Sequence, residues 1–102
     1  MVNEYIRYRI GAEMHAAFLS DYQKAGDYLR ASPVCLGYEL TQCEEERECF
    51  ILRIVWRSTA DHMSKFRGSA EFQNFLGLIK PYVPNIEEMR HYALTAVCWE
   101  RA

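Results

Sequence analysis

Residues 50–75 read FILRIVWRSTADHMSKFRGSAEFQNF, and they contain a strand followed by the starts of two helices. The first part alternates between apolar and other side chains, which is the period of a strand with one buried face. The apolar members are Phe50, Leu52, Ile54 and Trp56. Ser58 and Asp61 then fit a capping box that begins a short helix running to Phe66. Ser69 is placed to cap the next helix.

The residues before this segment predict two strands with a helix between them. Residues 3–10 alternate, and their apolar face carries Ile6, Tyr8 and Ile10. Residues 12–31 show the spacing of one helical stripe, formed by Met14, Phe18, Tyr22, Ala25 and Leu29. Residues 34–43 predict a second strand with Leu36, Tyr38 and Leu40 on one face.

The second strand and the strand that ends at Trp56 are joined by the charged turn EEERE, which predicts a hairpin. Its register is constrained because a slip of one residue would turn every side chain to the other face. The simplest register is centred on Glu46, with Glu39 opposite Arg53 and Cys43 opposite Cys49. A shift of two residues satisfies the same pattern.

The residues after Ser69 predict a helix, a short turn and a last strand. The helix has the apolar stripe Phe72, Phe75, Leu76 and Ile79 and ends before Pro81. A brief turn is expected at the sequence IEEM, and residues 89–98 are predicted to form the last strand.

The predicted order is β-α-β-β-α-β over one domain, residues 1–102. This order is typical of an α+β, ferredoxin-like split βαβ sandwich, in which a four-stranded antiparallel sheet has its helices on one face. The other face then needs a cover. It carries five charged residues, namely Arg7, Arg9, Glu39, Arg53 and Arg57. We expect two such faces to meet in a homodimer; an exposed face of surface ion pairs and an anion site are the alternatives.

Aromatic and histidine side chains supply the candidate site. Tyr8, Tyr38 and Trp56 point to the helix side of the predicted sheet, where they either line a ligand pocket or serve as core aromatics. His62 and His91 are candidate general bases, because a histidine can exchange a proton near neutral pH. The alternatives are an exposed helix residue for His62 and a hydrogen-bonded core residue for His91. The pattern leaves open which face of the last strand His91 occupies. The histidines have no metal-ligand spacing, so no metal site is expected.

Composition and charge exclude several classes of protein. The net charge of −2 gives no reason to expect nucleic acid as a partner. No apolar run approaches the roughly 20 residues of a membrane span, and the N-terminus lacks the apolar stretch of a signal peptide. We therefore expect a cytoplasmic location, with the four cysteines reduced and none of them in a CxxC pair.

A strand ending in Trp56, a short helix and the pattern Phe66-x-x-Ser69-x-x-Phe72 together resemble the antibiotic biosynthesis monooxygenase (ABM) family. The resemblance implies a dimeric α+β barrel. It also implies an oxygenase that uses neither metal nor flavin and acts on a small aromatic or quinol compound. In that chemistry the deprotonated substrate gives the electron to oxygen inside a dry pocket. By the same resemblance, Phe66 and Phe72 join the residues expected to contact the substrate.

The haem-degrading branch of that family is a poorer match, which implies a protein without haem. Phe66 stands where that branch has a tryptophan, and Leu76 stands where it has the haem-ligating histidine. Two alternatives to an enzyme follow. One is a dimeric ligand-binding module with no turnover. The other is a partner of a globin-type haem protein, because the run from Pro81 to Tyr92 resembles a branch whose relatives accompany truncated globins.

Overall fold

The computed structural model describes residues 1–102 as a sheet covered on one face by helices. The strands are β1 (Val2–Arg9), β2 (Cys35–Gln42), β3 (Cys49–Trp56) and β4 (Ile86–Ala93). The α-helices are α1 (His15–Arg30), α2 (Thr59–Asp61) and α3 (Ala70–Ile79). Short 3-10 segments cover Ala12–Met14 and Lys80–Asn85, and a π-helical turn covers His62–Phe66. None of these helices has the length and apolarity that crossing a membrane requires.

The sheet has the strand order β2-β3-β1-β4, and every neighbouring pair is antiparallel. This topology confirms the predicted α+β, ferredoxin-like fold. The apolar faces predicted for β1 and β3 are buried under the helices, and Tyr8, Leu52 and Trp56 have no exposed surface. Phe18 of α1 packs against Tyr8 and other aromatic rings with centroid distances near 5.0 Å, so the aromatic residues form the centre of the core.

The β2–β3 hairpin has the register centred on Glu46. Glu39 pairs with Arg53, whose Nε donates to the Glu39 carboxylate over 2.7 Å. The backbone N–H of Cys43 donates to the carbonyl of Cys49 over 2.8 Å. The placement of Leu36 on the buried face was wrong, because the pairing shifts by one residue between Cys35 and Gly37. This bulge leaves the Leu36 residue 52% exposed.

The last strand begins earlier than the sequence predicts. The expected turn at IEEM is the first half of β4, and residues 94–98 are not part of a strand. Ile86 pairs with Tyr8 on the helix side, while the Glu87 carboxylate turns to the outer face and forms ion pairs with Arg7 and Arg9. Glu87 is therefore accommodated in this strand by the counter-charges of β1, and the Glu88 carboxylate accepts from the Tyr92 hydroxyl.

The segment from Ser58 to α3 begins as predicted and then departs from a regular helix. The Ser58 hydroxyl accepts from the Asp61 N–H, and the Ser69 hydroxyl accepts from the Phe72 N–H, so both predicted caps are confirmed. Between them the N–H of Arg67 donates to the carbonyl of His62, a bond that spans five residues. A π-helical turn of this kind often accompanies a functional site.

The outer sheet face carries the five charged residues expected at a dimer contact. Each one has an opposite charge within the chain: Arg53 pairs with Glu39, Arg57 with Asp61, and Arg7 and Arg9 with acidic partners. Tyr5 and Tyr92 lie on the same face in edge-to-face contact. The face thus combines paired charges with aromatic surface, and its dimeric partner stays a prediction.

Candidate functional site

A cavity of about 160 Å³ lies between the sheet and the segment that runs from the π-helical turn to β4. Twelve of its 15 lining residues are hydrophobic, so the few polar groups in the wall stand out. These polar residues are Glu4, His62 and Arg67. An apolar cavity with a small number of convergent polar groups is the usual form of a small-molecule site.

Glu4 brings a carboxylate into this apolar wall. The alternation of β1 turns it to the helix side with Ile6 and Tyr8, and the residue is only 2% exposed. Its Oε1 accepts a hydrogen bond of 3.0 Å from Nε1 of Trp56. Burial raises the pKa of Glu4 above its usual value, and the Trp56 bond and the nearby His91 and Arg67 oppose this only in part.

His62 lies beside Glu4, at the start of the π-helical turn. Its ring stacks on Trp56 with a centroid distance of 4.2 Å and an interplanar angle of 10°. Burial is the main cause that lowers the pKa of His62 to about 4, and the nearby Arg67 and His91 act in the same direction. His62 is therefore neutral at pH 7. Its Nε2 is 3.7 Å from Oε1 of Glu4, slightly beyond hydrogen-bond distance.

His91 continues this line of proton-carrying groups. It pairs with Glu4 across β1 and β4, so it faces the helix side, a point that the sequence left open. His91 Nε2 is 2.7 Å from Nδ1 of His62. His91 is half-buried, whereas Glu4 and His62 are buried. The three side chains thus connect the cavity wall to the partly exposed edge of the site.

Arg67 is the cationic group in the cavity wall. Its guanidinium lies over the ring of Phe72, with Cζ 5.3 Å from the ring centroid. One Nη is 4.0 Å from the sulfur of Met89, a weak contact. The Nε atom is shielded from water and has no hydrogen-bond partner.

The structure brings most of the predicted site residues together. The predicted substrate-contact residues that line the cavity are Tyr8, Trp56, Phe66 and Phe72. Of the two predicted bases, His62 lines the cavity and His91 is hydrogen-bonded behind it. Tyr38 lies elsewhere, on the edge strand β2, where its hydroxyl accepts from Arg30 over 2.9 Å.

Sequence reasoning missed Glu4 and Arg67. A signal for Glu4 existed, because the alternation that places Ile6 and Tyr8 on the helix side also places Glu4 there. For Arg67 there was no such signal. It follows the apolar Phe66, and its position at the cavity depends on the five-residue hydrogen bond of the π-helical turn.

Glu4, His62 and His91 are also the residues that could hold a metal ion, since their ligand atoms lie within 4.8 Å of one another. Two nitrogen ligands on one zinc ion lie about 3 Å apart or more, given metal–nitrogen distances of about 2.0–2.1 Å. The 2.7 Å between His62 and His91 is shorter and suits a shared proton. The cationic Arg67 nearby also disfavours a metal ion, so the arrangement fits proton transfer better.

Comparisons with known proteins agree with the fold. A model of the family described as antibiotic biosynthesis monooxygenase matches residues 1–77. The uncharacterised Bacillus subtilis protein YczJ is 24% identical over 92 residues, which are 90% of this chain and 97% of that protein.

Two solved structures illustrate the structural likeness. A Bordetella bronchiseptica protein, provisionally assigned as an antibiotic biosynthesis monooxygenase, superposes with a TM-score of 0.76 at 22% identity, covering 92% of this chain and 96% of its own. Rv0793 from Mycobacterium tuberculosis superposes with a TM-score of 0.68 at 16% identity, covering 98% of each chain. At these identities the structural likeness establishes the fold alone.

Proposed function

The chain belongs to the antibiotic biosynthesis monooxygenase family, and on that premise we propose that it is a cofactor-independent monooxygenase of small phenols or quinols. The observation that carries the proposal is the line of side chains from the buried Glu4 through the buried His62 to the half-buried His91 at an apolar cavity. It offers a base to the substrate and a path for the proton.

The reaction needs no external reductant. A quinol and O₂ give a hydroxyquinone and water: one oxygen atom enters at a ring carbon, and the ring supplies both electron pairs that reduce O₂. The reaction begins when the quinol hydroxyl loses its proton, because the quinolate gives an electron to O₂ far more readily than the neutral quinol does. The enzyme must therefore hold a base against the substrate and keep water away.

Glu4 fits the role of that base. Its carboxylate lines the cavity, and burial raises its pKa, which makes it a stronger base than an exposed glutamate. The indole N–H of Trp56 fixes one carboxylate oxygen. His62 is neutral at pH 7, so it can pass a proton by accepting it on one ring nitrogen and releasing it from the other.

His91 provides the exit for the proton. It is hydrogen-bonded to His62 over 2.7 Å and is the one member of the line that is only half-buried. The oxygen atom that leaves as water must be protonated first, and that proton can move along the same residues in the opposite direction. The aromatic wall formed by Trp56, Phe66 and Phe72 then holds the ring by stacking and edge contacts.

The test is oxygen uptake by metal-stripped protein with a panel of single-ring quinols. We expect saturable uptake above the uncatalysed rate, with loss of most of it in Glu4→Gln. Gln keeps an oxygen to accept from Trp56 but cannot take up the proton. Binding of a quinol without oxygen uptake would instead assign the chain as a ligand-binding module.

We further propose that the protein acts as a homodimer formed through the outer sheet face, in a cytoplasmic setting that keeps its free cysteines reduced. The support is the aromatic surface of Tyr5 and Tyr92 beside charges that are already paired within the chain. Sedimentation at micromolar concentration tests this. We expect a 24 kDa species, twice the mass of the 12.0 kDa chain. A 12.0 kDa species would contradict the dimer.

A further inference from the structure

Two cysteines face each other at the turn end of the β2–β3 hairpin. Gln42 pairs with Phe50, so Cys43 and Cys49 form the next pair, and the Cys43 N–H donates to the Cys49 carbonyl over 2.8 Å. Directly opposed residues of antiparallel strands turn their side chains to the same face. Phe50 packs under the helices, so its neighbour Cys49, and with it Cys43, points to the outer face of the sheet.

The spacing of this pair permits a disulfide. The Cα atoms of hydrogen-bonded opposed residues lie about 5.5 Å apart, within the span of about 4.4–6.8 Å that a disulfide covers. Their Cβ atoms lie about 4.5–5.5 Å apart, whereas those of a disulfide lie about 3.5–4.5 Å apart. Closing the bridge therefore requires the two strand ends to approach by about 1 Å. A bridge of this kind is easily reduced, which suits a reversible modification.

The other two cysteines lack this arrangement, and the two members of the pair differ in exposure. Cys35 is paired across the hairpin with Trp56, and Cys98 lies beyond the end of β4. Cys43 is half-buried, whereas Cys49 is buried and only 4% exposed. An oxidant therefore meets Cys43 first, and Cys49 lies opposite it as the thiol that completes the bridge.

We propose that Cys43 and Cys49 form a peroxide-sensitive thiol pair, with Cys43 as the reacting thiol and Cys49 as the resolving one. The Cys43 sulfur attacks one oxygen of hydrogen peroxide, the O–O bond breaks, and the products are a sulfenic acid and water. The Cys49 sulfur then attacks the Cys43 sulfur, an S–S bond forms and a second water leaves. In sum, two thiols lose two electrons and two protons, and one peroxide becomes two waters. This inference goes beyond the proposed monooxygenase and does not depend on it.

The location of the pair is compatible with a dimer in a reducing compartment. Disulfides that form in such a compartment are mostly transient, and they are catalytic or redox-sensing. Along β3 the pair is four residues from Arg53, which pairs with Tyr5, so about 13 Å of strand separate it from the aromatic surface expected at the dimer contact. The turn end of the hairpin therefore stays open to a small oxidant while that surface is covered.

The turn between the cysteines is bonded to both of them. The Glu46 N–H donates to the Cys43 sulfur over 3.3 Å, and the Cys49 N–H donates to the Glu46 carbonyl over 2.9 Å. The Glu46 carboxylate is also 3.4 Å from the Arg9 guanidinium on the outer face. The bridge draws the Cys43 sulfur toward Cys49 and away from the Glu46 N–H, so we expect oxidation to loosen this turn.

The experiment treats the full chain with hydrogen peroxide, blocks the remaining thiols with N-ethylmaleimide and digests the protein with trypsin without reduction. Cleavage after Arg47 separates the two cysteines onto peptides 31–47 and 48–53, so a bridge is detected by mass spectrometry as a linked pair of these peptides. Peptide 31–47 also contains Cys35, and the measurement is therefore repeated in Cys35→Ser. Cys98→Ser is the matched control at an exposed cysteine.

We expect the linked peptides in wild-type protein and in both control variants, and their separation by dithiothreitol. Cys49→Ser should stop at the sulfenic acid on Cys43, which dimedone labels. Cys43→Ser should slow the oxidation of Cys49 at least about tenfold, because a buried thiol is inert towards the oxidant. Hydrogen exchange at the Glu46 N–H should be faster in the bridged protein than in the reduced one.

Several results would overturn the inference. One is a linked pair that disappears in Cys35→Ser, which would assign the bridge to Cys35. Another is oxidation of Cys49 at the same rate in Cys43→Ser as in wild-type protein, which would remove the role of Cys43. A third is conversion of wild-type Cys43 to the sulfinic acid with no linked peptides. Equal exchange of the Glu46 N–H in both redox states would contradict the predicted effect on the turn.

Discussion

Glu4 and His91 occupy directly opposed positions on β1 and β4, on the face of the sheet that the helices cover. His62 joins their side chains, with one ring nitrogen toward each. Residues from the first strand, the last strand and the segment after β3 therefore form one polar line inside an apolar core. Burial raises the pKa of Glu4 and lowers the pKa of His62, so the two residues change the stability of the protein with pH in opposite directions.

Replacement of Glu4 by Gln should abolish turnover and stabilise the fold. Loss of a general base typically lowers the rate about 10²–10⁴-fold. The pKa of Glu4 is raised in the folded protein, so ionisation opposes folding once the pH exceeds the unfolded value of 4.5. The variant should therefore resist urea better than wild type at pH 7, with the difference vanishing below pH 4. Equal urea midpoints at pH 7 would mean that the carboxylate is not destabilised by burial.

His62 should make the protein acid-sensitive. Its pKa falls to about 4 in the folded state from 6.5, so the unfolded chain binds the proton first as the pH falls. The free energy of unfolding is therefore unaffected by His62 above pH 6.5 and falls as the pH drops from there to pH 4. At pH 4.5 the loss is about 2–3 kcal/mol. Urea unfolding at pH 7 and pH 4.5 measures it, with His62→Gln as the variant that lacks the titration. A decline of the same size in both proteins would assign the acid sensitivity to other groups.

Divalent metal ions should not stabilise the protein. Although Glu4, His62 and His91 have the composition of a metal site, the two histidines are hydrogen-bonded and Arg67 is nearby. We expect the melting temperature to be unchanged by zinc, iron(II) or manganese(II) after chelator treatment. A rise that grows with metal concentration, and that His91→Ala removes, would replace the proton path with a metal site.

Tyr38 and Tyr8 should respond differently to loss of the hydroxyl group. Tyr38→Phe removes an exposed hydrogen bond from Arg30 outside the cavity, so stability and KM should hardly change. Tyr8→Phe leaves the buried hydroxyl of Tyr22 without its partner and should cost about 1–3 kcal/mol in unfolding free energy. Urea titration of the two variants checks the contrast; an increase in KM for Tyr38→Phe would return that residue to the site.

Residues from different parts of the chain show how far sequence reasoning carries. The hairpin register between Glu39 and Arg53 was predictable, because the alternation on both strands permits few pairings. The start of β4 was not predictable, because two adjacent glutamates are typical of a turn. The ion pairs of Glu87 with Arg7 and Arg9 form only when β4 lies beside β1. Leu36 was assigned to the wrong face because a bulge adds one residue to β2, and the alternation of side chains in the sequence does not reveal it.

The sequence by itself determined the order of strands and helices, the caps at Ser58 and Ser69, and the family, since each is encoded within a few neighbouring residues. Only the tertiary structure decided the site. Glu4 meets His91 because β1 and β4 are adjacent, and Arg67 reaches the cavity because a π-helical turn follows His62. These contacts depend on the pairing of strands that are distant in the sequence and on one irregular turn. Neither feature produces a periodic pattern of residues in the sequence.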